Sequence, residues 1–207
     1  MHSYSTDKRR WKTYLSLGAI ALSISLGSGF IAQILQVRFG FALGSLSFGL
    51  SSYVVYYLFT NRIWNWDLSR KIGITKVPDF SGKWEGHLYT SYDDAEPSET
   101  AEIEHEGLTP MEATIEIEQT WDEILIFLNG PDSTSESIGA TILVGGHWPS
   151  LTYNYENTGD AHHDEKNHHY GTTMLDYNPE EDTFSGTYYT GPNRENTGRF
   201  ELKRVED

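Results

Sequence analysis

The 207-residue sequence has no cysteine, and beyond its first third it has few basic residues and no useful stretch of helical period. The first absence excludes a disulfide framework, Cys-based zinc sites and thiol catalysis. The second is clearest when the chain is divided at Ile72, where apolar sequence gives way to polar. Residues 1–72 carry eight Lys/Arg against two Asp/Glu, a net of +6, whereas residues 73–207 carry seven against twenty-eight, a net of −21. Binding to nucleic-acid backbones needs several phosphates neutralised by clustered Lys/Arg, so such acidity excludes bulk DNA or RNA as a partner. A small anion is not excluded, because two or three cations in a pocket outweigh distant charge. Also missing are a Gly-x-Ser-x-Gly elbow, a Gly-rich phosphate loop and a His-Glu-x-x-His pair. With thirty acidic residues, adjacent carboxylates arise from composition alone, and the chain reads as a non-enzyme without a cofactor.

What the first third does contain is two long uncharged runs, 22 residues from Tyr14 to Leu35 and 21 from Phe39 to Phe59. Each is long enough as a helix to cross a hydrocarbon core of about 30 Å. Only Gln36, Val37 and Arg38 separate them, so they read as a tight antiparallel transmembrane pair with both ends on one side. Lys8, Arg9, Arg10 and Lys12 before the pair and Arg62, Arg70 and Lys71 after it outnumber Arg38 in the turn, which places both termini in the cytoplasm. Trp11, Tyr14, Tyr56, Tyr57, Trp64 and Trp66 form the matching aromatic belt. A cleaved signal peptide fits poorly, since the first run exceeds the usual h-region of roughly 7–15 residues and no small-x-small site follows it.

Small residues in the runs fall at spacings of three and four: Gly18, Ala21, Ser25 and Ser28 (with Ala32) on the first, Gly40, Gly44, Ser47 and Ser51 on the second. Such stripes let helix backbones approach closely in lipid. They serve either to join the two helices of one hairpin or to join neighbouring chains, and the spacing does not choose between them. No ionisable residue lies within the runs, so any action on the membrane belongs to an assembly.

Residues 73–207 turn to short alternating runs divided by turn clusters such as Gly145-Gly146 and Asn178-Pro179-Glu180-Glu181-Asp182. Eight strands are expected, near 82–90, 112–120, 122–129, 134–144, 149–156, 168–177, 183–190 and 197–204. Ile115 and Ile117 alternate with glutamates, Leu151, Tyr153 and Tyr155 with Thr152 and Asn154, and Phe200 and Leu202 with Arg199 and Glu201. One apolar and one wet face over eight strands predicts a closed antiparallel barrel with room for one small ligand. Gly82-Lys83-Trp84 resembles the Gly-x-Trp opening of lipocalin-like barrels, in which the Trp plugs one end.

Two clusters invite chemistry. His162-His163-Asp164 with His168-His169 offers metal ligands, yet it sits among polar loop residues and is read as an exposed loop rather than a metal site. Residues 186–199, Gly-Thr-Tyr-Tyr-Thr-Gly-Pro-Asn-Arg-Glu-Asn-Thr-Gly-Arg, gather aromatics, hydroxyls and two guanidiniums. Arginine forms bidentate hydrogen bonds to phosphate and tyrosine faces stack on nucleobases.

A two-span N-terminus, then Pro78-Asp79-Phe80-Ser81-Gly82-Lys83-Trp84-Glu85-Gly86, and a close of Gly186-x-Tyr188-Tyr189 with Asn193-Arg194-x-x-Thr197-Gly198-x-Phe200-x-Leu202-Lys203-Arg204 resemble one effector family. It is the membrane-anchored β-barrel effectors of bacterial CBASS antiphage defence, encoded beside a cGAS/DncV-like nucleotidyltransferase. The resemblance implies a transmembrane hairpin (1–72) in the inner membrane and a cytoplasmic sensing barrel (73–207). It also implies a cyclic oligonucleotide ligand, commonly a cyclic dinucleotide, with homo-oligomerisation through the helices and damage to membrane lipid. On that reading Arg194 and Arg199 hold phosphate, Tyr153, Tyr155, Tyr188 and Tyr189 hold bases, and Thr190 and Thr197 supply hydrogen bonds. Tyr188 and Tyr189 should point to opposite faces, so only one of them should touch ligand, and Arg199 should not share the inward face of Phe200, which makes Arg194, near the turn, the better of the two arginines. A tethered lipocalin-like carrier of an apolar ligand is the competing reading.

Overall fold

The computed structural model describes residues 1–39, 46–92, 95, 97–101, 105–130, 134–157, 168–191 and 196–205. The chain divides into two compact units, one formed by Arg9–Lys76 and the other by Met1–Lys8 together with Val77–Asp207.

The first unit is helical. Helix α1 (Trp11–Phe39) is followed by α2 (Phe48–Leu58), a π-helical turn (Phe59–Ile63) and short α3 (Asp67–Lys71). The stretch Trp11–Arg38 is long and apolar enough to cross a membrane, and only 11% of its apolar window is buried, unlike the core helix of a soluble domain. The small-residue stripe on α1 meets the start of the α2 segment. Ala21 is fully buried, Ser25 Oγ donates to the Leu46 carbonyl at 2.9 Å, and Ser28 Oγ accepts from Leu46 N at 3.0 Å. Ser47 caps α2 by accepting from Leu50 N, Ser51 is buried and Gly18 half-buried. Gly40 and Gly44 lie outside the described residues. The two ends of the unit meet, because Thr13 Oγ1 donates to the Ile74 carbonyl at 2.7 Å.

The second unit is a closed barrel of nine strands among the described residues, where the sequence predicts eight. All eight expected strands form: β2 (Gly82–Thr90), β3 (Thr109–Gln119), β4 (Glu123–Asn129), β5 (Thr134–Leu143), β6 (Ser150–Asn157), β7 (His169–Asn178), β8 (Thr183–Thr190) and β9 (Thr197–Arg204). They pair antiparallel in the order β4-β3-β2-β9-β8-β7-β6-β5. The ninth, β1 (His2–Thr6), precedes the helical unit and lies between β4 and β5, antiparallel to the first and parallel to the second. His-Ser-Tyr-Ser-Thr has one large apolar residue and no turn signal beside it, which is why its pattern does not announce a strand. Tyr4 alone turns fully into the core, donating its hydroxyl to the Trp121 carbonyl at 2.7 Å. Residues 1–8 therefore belong with the barrel, not with the helices that follow them.

The alternation works as the side-chain period of two requires. Ile115, Ile117, Leu151, Tyr153, Tyr155, Phe184, Phe200 and Leu202 all face inward and are buried. One end of the barrel is sealed by Trp84, which is 0% exposed. Its Nε1 donates to the Phe80 carbonyl at 3.0 Å, its ring lies 4.2 Å from that of Phe184, and the Arg204 guanidinium stacks 4.2 Å from its centroid. Arg204 in turn holds Asp182 at 3.0 Å and the Asp79 and Ser81 carbonyls. Gly82 opens the strand at φ 117°, a conformation glycine alone adopts freely, and it packs against Arg204. Strand directions put the end of β1 and the start of β2 at this same sealed end.

At the foot of β1, Asp7 Oδ1 accepts from Val144 N at 2.9 Å and pairs with Lys8 at 3.3 Å. Burial works against the Asp7 carboxylate, but the Val144 amide and Lys8 outweigh it, so the group titrates below the usual carboxylate value. A depressed folded-state pKa adds stability above the unfolded value, about 3.9, that is lost as pH falls through the folded one. The melting-temperature advantage of the wild type over Asp7→Asn should be full at neutral pH and vanish in acid.

Candidate functional site

Strands β8 and β9 pair Thr187 with Arg199, Tyr188 with Gly198 and Tyr189 with Thr197. Alternation splits this patch between two faces. Tyr189 is 47% exposed on the outside, with Thr197 and Arg199 beside it. Tyr188 points inward, 8% exposed, and donates to Thr90 Oγ1 at 2.6 Å. Its ring packs 5.6 Å from that of Phe200. Gly198 lets this happen, since a Cβ there would collide with the Tyr89 carbonyl and the Tyr188 ring. Burial raises the Tyr188 pKa against the opposing hydrogen bond to Thr90, so the phenol stays neutral.

A third wall comes from residues 105–108. His105 lies edge-on to Tyr89, with centroids 4.4 Å apart, and its Nε2 is 3.0 Å from Glu201 Oε1. Burial first, and then the Glu201 charge, raise the pKa of Tyr89. This strap and the outer face of β8 and β9 border an open groove of about 510 Å³, lined by His105, Glu106 and Leu108 on one side and Tyr189, Thr197 and Arg199 on the other. The groove offers a guanidinium, a tyrosine face and hydroxyls, with Glu106 as a local acid. Such a set can take a small planar anion, because the guanidinium meets phosphate through paired N–H donors and the ring stacks.

Of the residues predicted from sequence, Tyr189, Thr197 and Arg199 share the outer face at this groove, whereas Tyr188 borders it with its ring turned into the barrel. Thr190 sits at the end of β8, where its hydroxyl accepts from Asn196 N at 2.9 Å and closes the hairpin. Tyr153 and Tyr155 lie on β6 inside the barrel, 1% and 5% exposed, and do not line the groove. Arg194 lies outside the described residues. His105, Glu106, Leu108 and Thr187 were not anticipated. Thr187 follows from the strand register opposite Arg199, whereas the strap is placed by tertiary contacts that leave no periodic trace.

Among the described residues, no group of three or more His, Asp or Glu side chains could hold a metal. His168 Nε2 instead contacts Glu156 Oε1 at 2.6 Å, which is the main cause of that carboxylate's lowered pKa. His169 faces the Tyr155 ring. His162, His163 and Asp164 lie outside the described residues.

Tyr153 carries a feature of its own. Its Oη is buried without a hydrogen-bond partner among the described residues, and burial pushes the phenol up to about 12. Thr173, opposite it in register, draws the pKa the other way, but the geometry falls short of a hydrogen bond. An unpaired buried hydroxyl costs about 1–3 kcal/mol. Tyr153→Phe should therefore raise the stability of the ligand-free protein by about 1 kcal/mol, measured by urea unfolding, whereas loss of a satisfied hydroxyl would lower it.

A closed barrel with a sealed end and a cation-bearing groove on its wall has the architecture of a small-ligand receptor domain. The chain belongs to the Cap15 cyclic dinucleotide receptor domain family, whose profile matches residues 75–204, from just before β2 to the end of β9. It is also 27% identical over 133 residues to CD-NTase-associated protein 15 of Yersinia aleksiciae. That alignment covers 63% of this chain and 57% of the relative's length.

Proposed function

We propose that this protein is a membrane effector of CBASS antiviral defence whose barrel binds a cyclic oligonucleotide, foremost a cyclic dinucleotide, in the groove between β8, β9 and the 105–108 strap. The observation that carries the reading is the coincidence of the receptor-family match at 75–204 with a barrel whose wall holds Arg199, Tyr189 and Thr197 in one groove. The signal is supplied by a cognate nucleotidyltransferase. Binding drives self-association through the apolar helices in the inner membrane, lipid packing fails, and the infected cell dies. Helix α1 makes one crossing and the segment containing α2 the second. The meeting of Thr13 with Ile74 supports both crossings starting and ending on one side, and the basic flanks make that side cytoplasmic. Because α1's stripe is engaged by Leu46 within the chain, contacts between chains use the remaining apolar surface of the helices. Coupling requires that the ligand favour the assembled state, since equal affinity for both shifts nothing.

The competing carrier reading needs an open apolar interior. The mouth-side interior instead holds Tyr153, Tyr155 and Tyr188, all buried. Arg199→Ala should weaken cyclic-dinucleotide binding by about 10- to 100-fold, the worth of a charge-assisted hydrogen bond. Calorimetric titration reads this directly, and an unchanged affinity moves the site away from the groove.

A further inference from the structure

Strands β4 and β5 are consecutive and begin as an ordinary hairpin, with Asn129 opposite Thr134, Leu128 opposite Ser135 and Phe127 opposite Glu136. The next step of that register would pair Ile126 with Ser137, and there the ladder stops. Ile126 N donates instead to Ser137 Oγ at 3.0 Å, and the same oxygen meets His2 Nε2 at 2.8 Å. From this fork the strands part and β1 fills the gap, facing β4 at His2 and Ser3 and β5 at Tyr4, Ser5 and Thr6. The β5 register shifts at the same place, between Ser137 and Gly139, and leaves Ile138 52% exposed.

We propose that β1 is a releasable stave, and that the barrel has a second, eight-stranded closure in which β4 and β5 zip onward from the hairpin they have already begun, past the bulge at Ile138. With Ile138 left as the bulged residue, that pairing sets Ile126 opposite Ser137, Leu125 opposite Gly139, Ile124 opposite Ala140 and Glu123 opposite Thr141. Ile124 and Ile126 then stay on the inner face with Ala140 and Ser137, as the period of two requires. The backbone groups of Ile124, Glu123, Ala140 and Thr141 that face β1 thus find partners without it, and only the end of β5 at Ile142 is left beyond β4. What holds β1 in place is the buried Tyr4 with its bond to Trp121, the Ser5–Thr141 hydroxyl contact at 2.7 Å and the Asp7–Val144 clasp. These make the nine-stranded closure the resting state.

The device matters because β1 runs through Asp7 and Lys8 directly into the unit that contains α1. Its release frees one of the two covalent attachments between sensor and helices, while the attachment at Val77 persists. The consequence for assembly rests on the function proposed above, and the existence of the second closure does not.

Both parts are testable in the full-length chain, whose lack of cysteine makes engineered pairs unambiguous. A Ser5→Cys/Thr141→Cys variant in liposomes, oxidised to fasten β1 to β5, should keep the thermal shift given by a cyclic dinucleotide. Its ligand-dependent dye leakage should fall at least about tenfold, and reductant should restore it. Leakage equal to wild type in the oxidised variant overturns the release. If the wild type shows no shift with any cyclic dinucleotide, the sensor reading fails, and a ligand-free measurement still judges the strand. In the full chain lacking residues 2–6, hydrogen exchange should find the amides of residues 123–125 and 139–141 protected as the hairpin zips. Rapid exchange there, or loss of protection throughout the barrel, overturns the second closure.

Discussion

Trp84→Ala is expected to destabilise the protein by about 3–5 kcal/mol, the range for removing a buried aromatic from a packed core. Trp84 is fully buried, touches the rings of Phe184 and Tyr177 and is covered by Arg204. Its loss opens the sealed end and takes away the face on which the guanidinium rests. Arg204 bonds to Asp182 and to the Asp79 and Ser81 carbonyls independently of the ring, so the surrounding loop resists collapse and the cavity stays open. The melting temperature should fall by roughly 10–20 °C for a unit of this size. Trp84→Phe should recover about half of the loss, because Phe keeps the ring stack but not the Nε1 bond to Phe80. A loss of under about 1 kcal/mol for Trp84→Ala would mean that the plug is dispensable.

The second large effect is expected at Gly198. Alanine there adds one methyl group, yet its Cβ would be driven into the Tyr89 carbonyl and the Tyr188 ring. A side chain could rotate away, but the Tyr89 carbonyl belongs to the β2–β9 ladder and moves only with the strand. Overpacking costs typically 1–3 kcal/mol, and a backbone obstacle places Gly198→Ala at the upper end, about 3 kcal/mol. Gly198 also lines the groove, so the variant should lose cyclic-nucleotide affinity even at temperatures where it is folded. Leaving both stability and affinity intact would show that β2 and β9 yield at this point.

The eight strands of the C-terminal region were legible because each buries one face and wets the other. The parity argument that separates Tyr188 from Tyr189, and Arg199 from Phe200, rests on that same period. β1 was hidden for the opposite reason: wedged between β4 and β5, it contributes only Tyr4 fully to the core, so its polar sequence carries no alternation worth reading. The third wall of the groove was hidden too. His105 is held by Glu201, 96 residues further along, a tertiary contact with no local pattern. Tyr153 and Tyr155 were legible as inward residues of β6, but period alone could not say that the groove lies on the outside of β8 and β9. The small-residue stripes were visible at once. What they pack against on α1 became plain only when Ser25 and Ser28 met Leu46.

Thermal unfolding of the full-length protein against a panel of cyclic di- and trinucleotides, with linear dinucleotides and fatty acids as controls, bears most directly on the sensing function. The full chain is required because residues 2–6 form part of the barrel. A ligand at about 100 times its dissociation constant adds about 2.7 kcal/mol to the folded state, which amounts to several degrees. A shift with a cyclic dinucleotide that is reduced in Arg199→Ala is the predicted result. No shift with any cyclic nucleotide, or a shift with fatty acid alone, would contradict it.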